Sequence, residues 1–267
     1  MEIQSTAGRR ELSRDEVAEQ LRALGVQRGG VLLVHTSFRA VRPVEGGPAG
    51  LIGALRDALG PEGTLVMPSW TGDDDTPFDP AATPSSEDLG IVAQTFWRMP
   101  GVARSQHPFA FAAAGPHAAR ILADPLPLPP HIPASPVGRV RDLDGQVLLL
   151  GVNHDADTTI HLAELAADVP YRVPKHITVL QDGRPVRIDY GENDCCAEHF
   201  LFVDGWLRDA GLQREGRVGH AEARLIRSRD IMDVVLARLA RDPFVLIHPL
   251  GAGCDECDEG RKGAHLR

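Results

Sequence analysis

Two rhythms of apolar and polar positions alternate along this chain: short unbroken apolar runs, and longer stretches with helical spacing. Ser13, followed three residues later by Glu16, is a capping-box pattern; the helix it opens places Val17, Leu21 and Leu24 on one face and should stop near Gly25. Gly29-Gly30 lead into Val31-Leu32-Leu33-Val34-His35, which reads as a buried strand. A helix over Leu51 to Leu59, ended by Gly60-Pro61, and a second apolar strand at Thr64–Met67, closed by Pro68, complete a strand–helix–strand unit of the right-handed parallel type. Ser69 to Glu87 is polar and rich in Pro and Asp, a long surface loop of the kind that carries function.

Farther on, the pattern predicts a helix around Leu89 to Met99 and a strand at Phe109–Ala114. An irregular excursion follows from Asp124 to Pro136, whose prolines exclude regular structure and whose Leu126, Leu128 and Ile132 should pack on the body. Gln146–Val152 is an apolar strand ending in Gly, and Thr158 opens a helix. His176–Leu180 and Pro185–Tyr190 flank Asp182-Gly183 as a β-hairpin. Late helices are expected over Glu198–Ala210 and Asp230–Leu239, and a last strand over Phe244–His248. No repeat or composition break divides the chain. The reading is α/β: one mixed domain over 1–267, with a central, largely parallel sheet, a hairpin-containing insertion, and 1–12 as the candidate for disorder.

Composition narrows the partners. An apolar content of 43% in 267 residues supports a sizeable core. The chain has no apolar run long enough to cross a bilayer, and its N-terminus lacks an apolar signal core, so a cytoplasmic protein with no membrane partner is expected. A net charge of −9 with no basic stripe argues against nucleic acid and suits a cationic ligand. The acids that matter for such a ligand are Asp73-Asp74-Asp75 in the long loop and Glu192 and Asp194 after the hairpin.

The chemistry concentrates at Thr158-Thr159-Ile160-His161-Leu162-Ala163-Glu164. Asp157 or Thr158 can cap this helix. His161 and Glu164 are three apart and share a face, so the carboxylate can orient the ring. The ring lies just past a strand's carboxyl end, where open α/β sheets bind ligands. The helix N-terminus should disfavour imidazolium and keep the ring ready to accept a proton, with Glu164 opposing that effect. Cys254-x-x-Cys257 together with Cys195-Cys196 is a candidate four-thiolate structural zinc set. Adjacent ligands are geometrically awkward, so His176, His199 or His248 stands as a replacement for one. Gln213–Gly219 approximates a pyrophosphate loop, but its final Gly is one position late, and it reads as a plain loop.

Five segments in order resemble the aminoglycoside 3-N-acetyltransferases of the antibiotic N-acetyltransferase family. They are Val34-His35-Thr36-Ser37-Phe38, Gly63–Trp70, Arg104-Ser105-Gln106-His107-Pro108, Leu148–Val152 and Thr158–Glu164. A narrower match, to the class IV apramycin-acetylating type, rests on Phe109–Pro116, Asp124–His131 and Glu192-Asn193-Asp194. The resemblance implies a fold unlike that of the more common GNAT acetyltransferases. It also implies acetyl-CoA as donor and the 3-amino group of a 2-deoxystreptamine ring as acceptor, in drugs such as apramycin, gentamicin and tobramycin. It carries the general base onto His161; Glu164 is read as its orienting partner, and Thr159, next to the base, as a donor to the thioester oxygen or sulfur. CoA is expected on His35, Thr36 and Ser37, with Arg104 and Ser105 second, and the polycation on Asp74, Glu192 and Asp194. Three other readings remain beside this one: a CoA-dependent acyltransferase acting on another amine such as a natural-product precursor, a zinc hydrolase with His154 and His161 as ligands, and a non-catalytic CoA- or drug-binding module.

Overall fold

The computed structural model describes residues 8–123 and 126–263. Its strands are β1 (Val31–Thr36), β2 (Thr64–Pro68), β3 (Ala103–Arg104), β4 (Phe111–Ala114), β5 (Gln146–Leu150), β6 (Val173–Gln181), β7 (Arg184–Glu192), β8 (Gln213–Val218) and β9 (Ala221–Arg227). Its helices are α1 (Arg14–Leu24), α2 (Phe38–Val41), α3 (Gly47–Leu59), α4 (Gly90–Phe96), α5 (Ala118–Ile121), α6 (Pro136–Asp142), α7 (Thr158–Ala166), α8 (Phe202–Asp209), α9 (Ser228–Leu239) and α10 (Asp255–Lys262). Seven strands form one sheet in the order β3-β4-β2-β1-β5-β9-β8, and β6 and β7 form a separate two-stranded sheet.

The α/β class holds, and the sheet is less parallel than the pattern suggested. Only β1 runs parallel to its neighbours β2 and β5. The pairs β2–β4, β3–β4, β5–β9 and β8–β9 are antiparallel. Gln213–Val218, expected as a loop, is the edge strand β8. Its side chains are mostly exposed, so it carries no apolar alternation to read. The expected last strand at Phe244–His248 is instead a run of turns between Pro243 and Pro249, in which Val245 N–H bonds Asp242 O and Ile247 N–H bonds Phe244 O.

Period-two packing explains the unbroken apolar strands. Leu32, Val34, Leu65, Met67, Leu148 and Leu150 point to a core closed by α1, α3 and α4. Val31, Leu33, Val66, Val147 and Leu149 point the other way, to a core closed chiefly by α6, α7 and α9. Strands covered on both faces lose their polar alternation. The capping box at Ser13 forms as expected. The hairpin turns on Asp182 and Gly183, both at positive φ, as a two-residue primed turn requires. Residues 1–7 of the stretch expected to be disordered lie outside the described residues. Leu12, at its end, is buried and bridges Val44. In the proline-rich excursion Asp124 and Pro125 are likewise outside; from Pro127 on it packs on the body and buries His131.

One glycine decides where β5 can end. Gly151 has φ +71, and a Cβ there would stand 2.6 Å from Ala40 Cβ. A Gly151→Ala substitution is therefore expected to destabilise the fold by about 1–2 kcal/mol from the left-handed backbone alone. The steric overlap adds to this, and the thermal midpoint should fall by several degrees.

Candidate active site

Beyond Gly151 the chain makes a short 3-10 turn at His154–Ala156 and enters α7. Asp157 caps the helix: Oδ1 accepts from Thr159 N–H at 3.0 Å, and Oδ2 lies 3.3 Å from His154 Nδ1. Thr158 is not the cap; its hydroxyl lies 3.3 Å from His35 Nε2. One turn later His161 Nδ1 meets Glu164 Oε2 at 2.8 Å. Glu164 is fully buried, and its other oxygen accepts from Tyr171 OH at 2.5 Å. This bond leaves His161 Nε2 as the nitrogen for proton transfer. The imidazole lies between the rings of His131 and Phe200, each with its centroid 5.0 Å away, and its side chain keeps 13% of its surface exposed.

Burial pulls the His161 pKa down, but the hydrogen bond to Glu164 and its charge, with those of Asp194 and Glu192, outweigh it and raise the value to about 9. The expected neutral ring is thereby corrected: the three carboxylates outweigh burial of the imidazole. With no ligand bound, His161 holds a proton at neutral pH. A cation placed against Asp194 and Glu192 would cancel part of the field that keeps it there.

The acids expected to receive a cation do converge. Glu192 is buried, 3.3 Å from His131 Nδ1, and accepts from Tyr190 OH at 3.2 Å. Asp194 is exposed at the surface and paired with Lys175 at 2.8 Å. Burial raises the Tyr190 phenol, and Glu192, Asp74 and Asp194 add to it; the same three acids raise Lys175 against the pull of burial. Burial raises the Asp74 carboxyl, against the opposing pull of His176 and Lys175. Its neighbours do other work: Asp73 accepts from the N–H groups of Asp75 and Thr76, and Asp75 bonds His176 at 2.8 Å. Trp70 stacks on Phe109 at 4.4 Å and Phe109 meets His131 edge-on at 4.8 Å, which adds an aromatic wall. Sequence reasoning assigned no role to His131, Tyr171, Lys175 or Tyr190. The motif around His131 was the one available signal.

The residues expected to hold the donor separate. His35 and Thr36 are at the end of β1. His35 is buried, and burial lowers its pKa to about 4, so it is neutral. Among the described residues, Thr36 Oγ1 and Thr159 Oγ1 are buried with no hydrogen-bond partner. Ser37 lines a cavity of about 1260 Å³, with Arg39, Gly151, Asn153, Arg217 and Arg224 also in its wall. Arg104 and Ser105 do not join this group. Arg104 donates to the carbonyls of Ser69 and Thr83 and stacks over Phe78 and Trp97, pinning the long acidic loop. Ser105 Oγ accepts from Phe111 N–H. The basic residues of the cavity went unnoticed because they are scattered over α2, β8 and β9.

Two metal expectations change. His154 is fully buried, with Asp157 on one nitrogen and Gln213 on the other at 2.9 Å, so it is not a ligand beside His161. The four-cysteine set is also corrected. Among the described residues, Cys196, Cys254 and Cys257 gather with His248, whereas Cys195 packs against Gly260 of α10.

The His161 titration tests this electrostatic picture directly. By NMR the ring should titrate near 9 in the native protein. In Glu164→Gln the largest raising contribution is gone while burial remains, so the midpoint should fall toward the ordinary imidazole value. An unchanged midpoint would mean that Glu164 does not set it.

Comparison with known proteins places this arrangement. The family model described as aminoglycoside 3-N-acetyltransferase matches residues 33–240. The chain is 65% identical over 243 residues to aminoglycoside N(3)-acetyltransferase IV of Salmonella sp, covering 91% of this chain and 93% of the relative. A histidine-to-alanine mutant of aminoglycoside acetyltransferase AAC(3)-IVa in complex with a gentamicin superposes with a TM-score of 0.94 at 64% identity, over 95% of this chain and 98% of that one. Its complex with apramycin superposes at 0.87 and 63%, over 92% and 98%. AAC-IIIb with CoASH superposes at 0.80 and 26%, over 87% and 97%. The chain belongs to the aminoglycoside 3-N-acetyltransferase family.

Proposed function

We propose that the protein transfers acetyl from acetyl-CoA to the 3-amino group of 2-deoxystreptamine aminoglycosides, and so inactivates them as antibiotics. The carrying observation is the His161–Glu164 pair on α7, whose ring feels the charges of Asp194 and Glu192. Asp74 acts with the same two acids on Lys175. A separate cavity, at the end of β1 and the turn before α7, has Ser37, Arg39 and Arg217 in its wall, with Asp155, Glu215 and Glu222 also there. Coulomb attraction directs a polycation to the three acids and the phosphates of CoA to the arginines of the cavity. Relatives crystallised with a gentamicin, with apramycin and with CoASH support both halves.

In this reading, acceptor ammonium groups settle against Asp194, Glu192 and Asp74. Their charge offsets the carboxylates that raise the His161 pKa, and Nε2 becomes able to take a proton from the 3-ammonium group. The neutral amine attacks the thioester carbonyl. A tetrahedral oxyanion forms, with the Thr159 hydroxyl as candidate donor since it has no other partner. Collapse expels the CoA thiolate, which takes the proton held by His161, and the nitrogen, cationic after attack, gives its extra proton to solvent as the amide forms. Glu164 accepts from Nδ1 and keeps the ring oriented, and Tyr171 holds the carboxylate in place.

CoA is proposed along the carboxyl ends of β1 and β5, with its phosphates at Arg39 and Arg217 and its thioester arm passing His35, Thr36 and Ser37. Among the described residues no helix is long and apolar enough to cross a membrane. The cytoplasm, where acetyl-CoA is available and thiols stay reduced, is the proposed setting. A structural zinc near the C-terminus belongs to the same reading, as a tether with no part in the transfer. The 1–267 chain is proposed to act as one domain.

Thiol release from acetyl-CoA in the presence of apramycin tests the reaction. The native enzyme should release thiol, and a folded His161→Ala variant should be slower by about 10²–10⁴, the usual worth of a general base. Release with simple amines but not with apramycin, gentamicin or tobramycin would move the acceptor to another class. A second measurement separates the two sides. Asp194→Asn should raise KM for apramycin about tenfold for each 1.4 kcal/mol lost and leave KM for acetyl-CoA alone, whereas Arg217→Ala should do the reverse.

A further inference from the structure

Four side chains near the C-terminus have no role in the transfer reaction, yet they converge. Cys196 follows β7, His248 lies in the turns after α9, and Cys254 and Cys257 cap and open α10. One donor atom from each lies within 4.8 Å of all the others. Cys257 Sγ is 3.6 Å from His248 Nδ1. A tetrahedral ion with Zn–S of about 2.3 Å and Zn–N of about 2.05 Å sets those two atoms roughly 3.6 Å apart.

The surroundings are those of a ligand set. The other ring nitrogen of His248, Nε2, lies 3.4 Å from Glu198 Oε2. A metal-bound imidazole characteristically gives its second N–H to such a carboxylate. Cys196 Sγ accepts from Glu198 N–H at 3.5 Å, and Cys257 Sγ from His248 N–H at 3.4 Å. These donors favour thiolates. Cys195 is adjacent in sequence and turned away: a Cβ on Gly260 would stand 2.5 Å from its sulfur, which is packed under α10. The unevenness answers the geometric objection to neighbouring ligands, since only one of the two cysteines joins.

We propose that Cys196, His248, Cys254 and Cys257 bind one zinc ion, and that this ion fixes the wall that receives the aminoglycoside. Three thiolates and an imidazole fill a tetrahedron and leave no open position, which makes the site structural. The four ligands come from three segments with little other regular structure to join them. Cys196 is two residues beyond Asp194, and α10 is tied to the start of β6 by Arg172 N–H donating to Gly260 O at 2.9 Å. Arg261 donates to His248 O and stacks over Phe244, closing the same knot. The metal thus fastens the segment carrying Glu192 and Asp194 to the C-terminal helix. The consequence for acceptor binding rests on the proposed aminoglycoside function; metal binding does not.

The experiment measures zinc by elemental analysis in the full-length protein, purified without chelators. The native protein and Cys195→Ser should hold about one zinc per chain, and His248→Ala and Cys254→Ser well below that. Glu198→Gln, which leaves all four ligands, should weaken zinc affinity about tenfold in competition with a chromogenic chelator. For apramycin acetylation, Cys254→Ser should raise KM for apramycin and leave KM for acetyl-CoA unchanged. Native protein without stoichiometric zinc, or loss of zinc from Cys195→Ser with retention in His248→Ala, would overturn the ligand set whatever the state of the variants. Zinc loss with an unchanged apramycin KM would overturn the link to the acceptor wall. Intact zinc in a protein that does not turn over apramycin would fault the functional reading and leave the site standing.

Discussion

Glu164 is a carboxyl group with no exposed surface, and the active-site geometry follows from the hydrogen bonds its burial demands. Removing an ion from water costs several kcal/mol even after relaxation, so a buried carboxylate needs strong partners on both oxygens. Here they are His161 on one oxygen and Tyr171 on the other. Tyr171 is itself buried at the centre of the core beneath α7 and α9, and the chain leaving it becomes β6, the first strand of the hairpin. The residue that anchors Glu164 therefore also fixes where the hairpin that leads to Glu192 and Asp194 starts. Orientation of the His161 ring and placement of these acids are consequences of one buried interaction.

The mixed sheet serves this arrangement. The parallel core of β1, β2 and β5 sends its carboxyl ends to one edge, where Ser37, Gly151 and the start of α7 meet. The antiparallel flank of β8 and β9 adds Arg217 and Arg224 to the same cavity. The hairpin, which belongs to no other sheet, brings Glu192 and Asp194, whose charges act on the His161 ring.

Legibility differed between elements for physical reasons. The strands β1, β2 and β5 were visible because burial on both faces leaves an unbroken apolar run. The hairpin was visible because Asp-Gly is one of few pairs that supply two positive φ angles. The edge strand β8 was not, because an exposed strand of Gln, Arg, Glu and Gly has no apolar rhythm. At the site, His161 and Glu164 were readable from helical spacing. Tyr171 was not, since a residue seven positions away across a helix end carries no local sign of the contact. Arg104 misled in the opposite sense. A basic residue beside a Ser suggests a phosphate grip, but whether its N–H groups are already spent on carbonyls is settled only in three dimensions.

In the proposed role of general base, the raised pKa of His161 first looks like a defect, since a protonated imidazole cannot accept a proton. It becomes useful once the acceptor's charge is counted. The groups that hold the proton on include Asp194 and Glu192, the carboxylates available to an incoming polycation. A neutral amine would leave their field unchanged and find the base occupied. A molecule with several ammonium groups would weaken that field as it binds, lowering the pKa of the ring at the moment its own amine must lose a proton. Selectivity for a polycation then arises in the ionisation of the base as well as in binding, and a neutral isostere would lose rate as well as affinity.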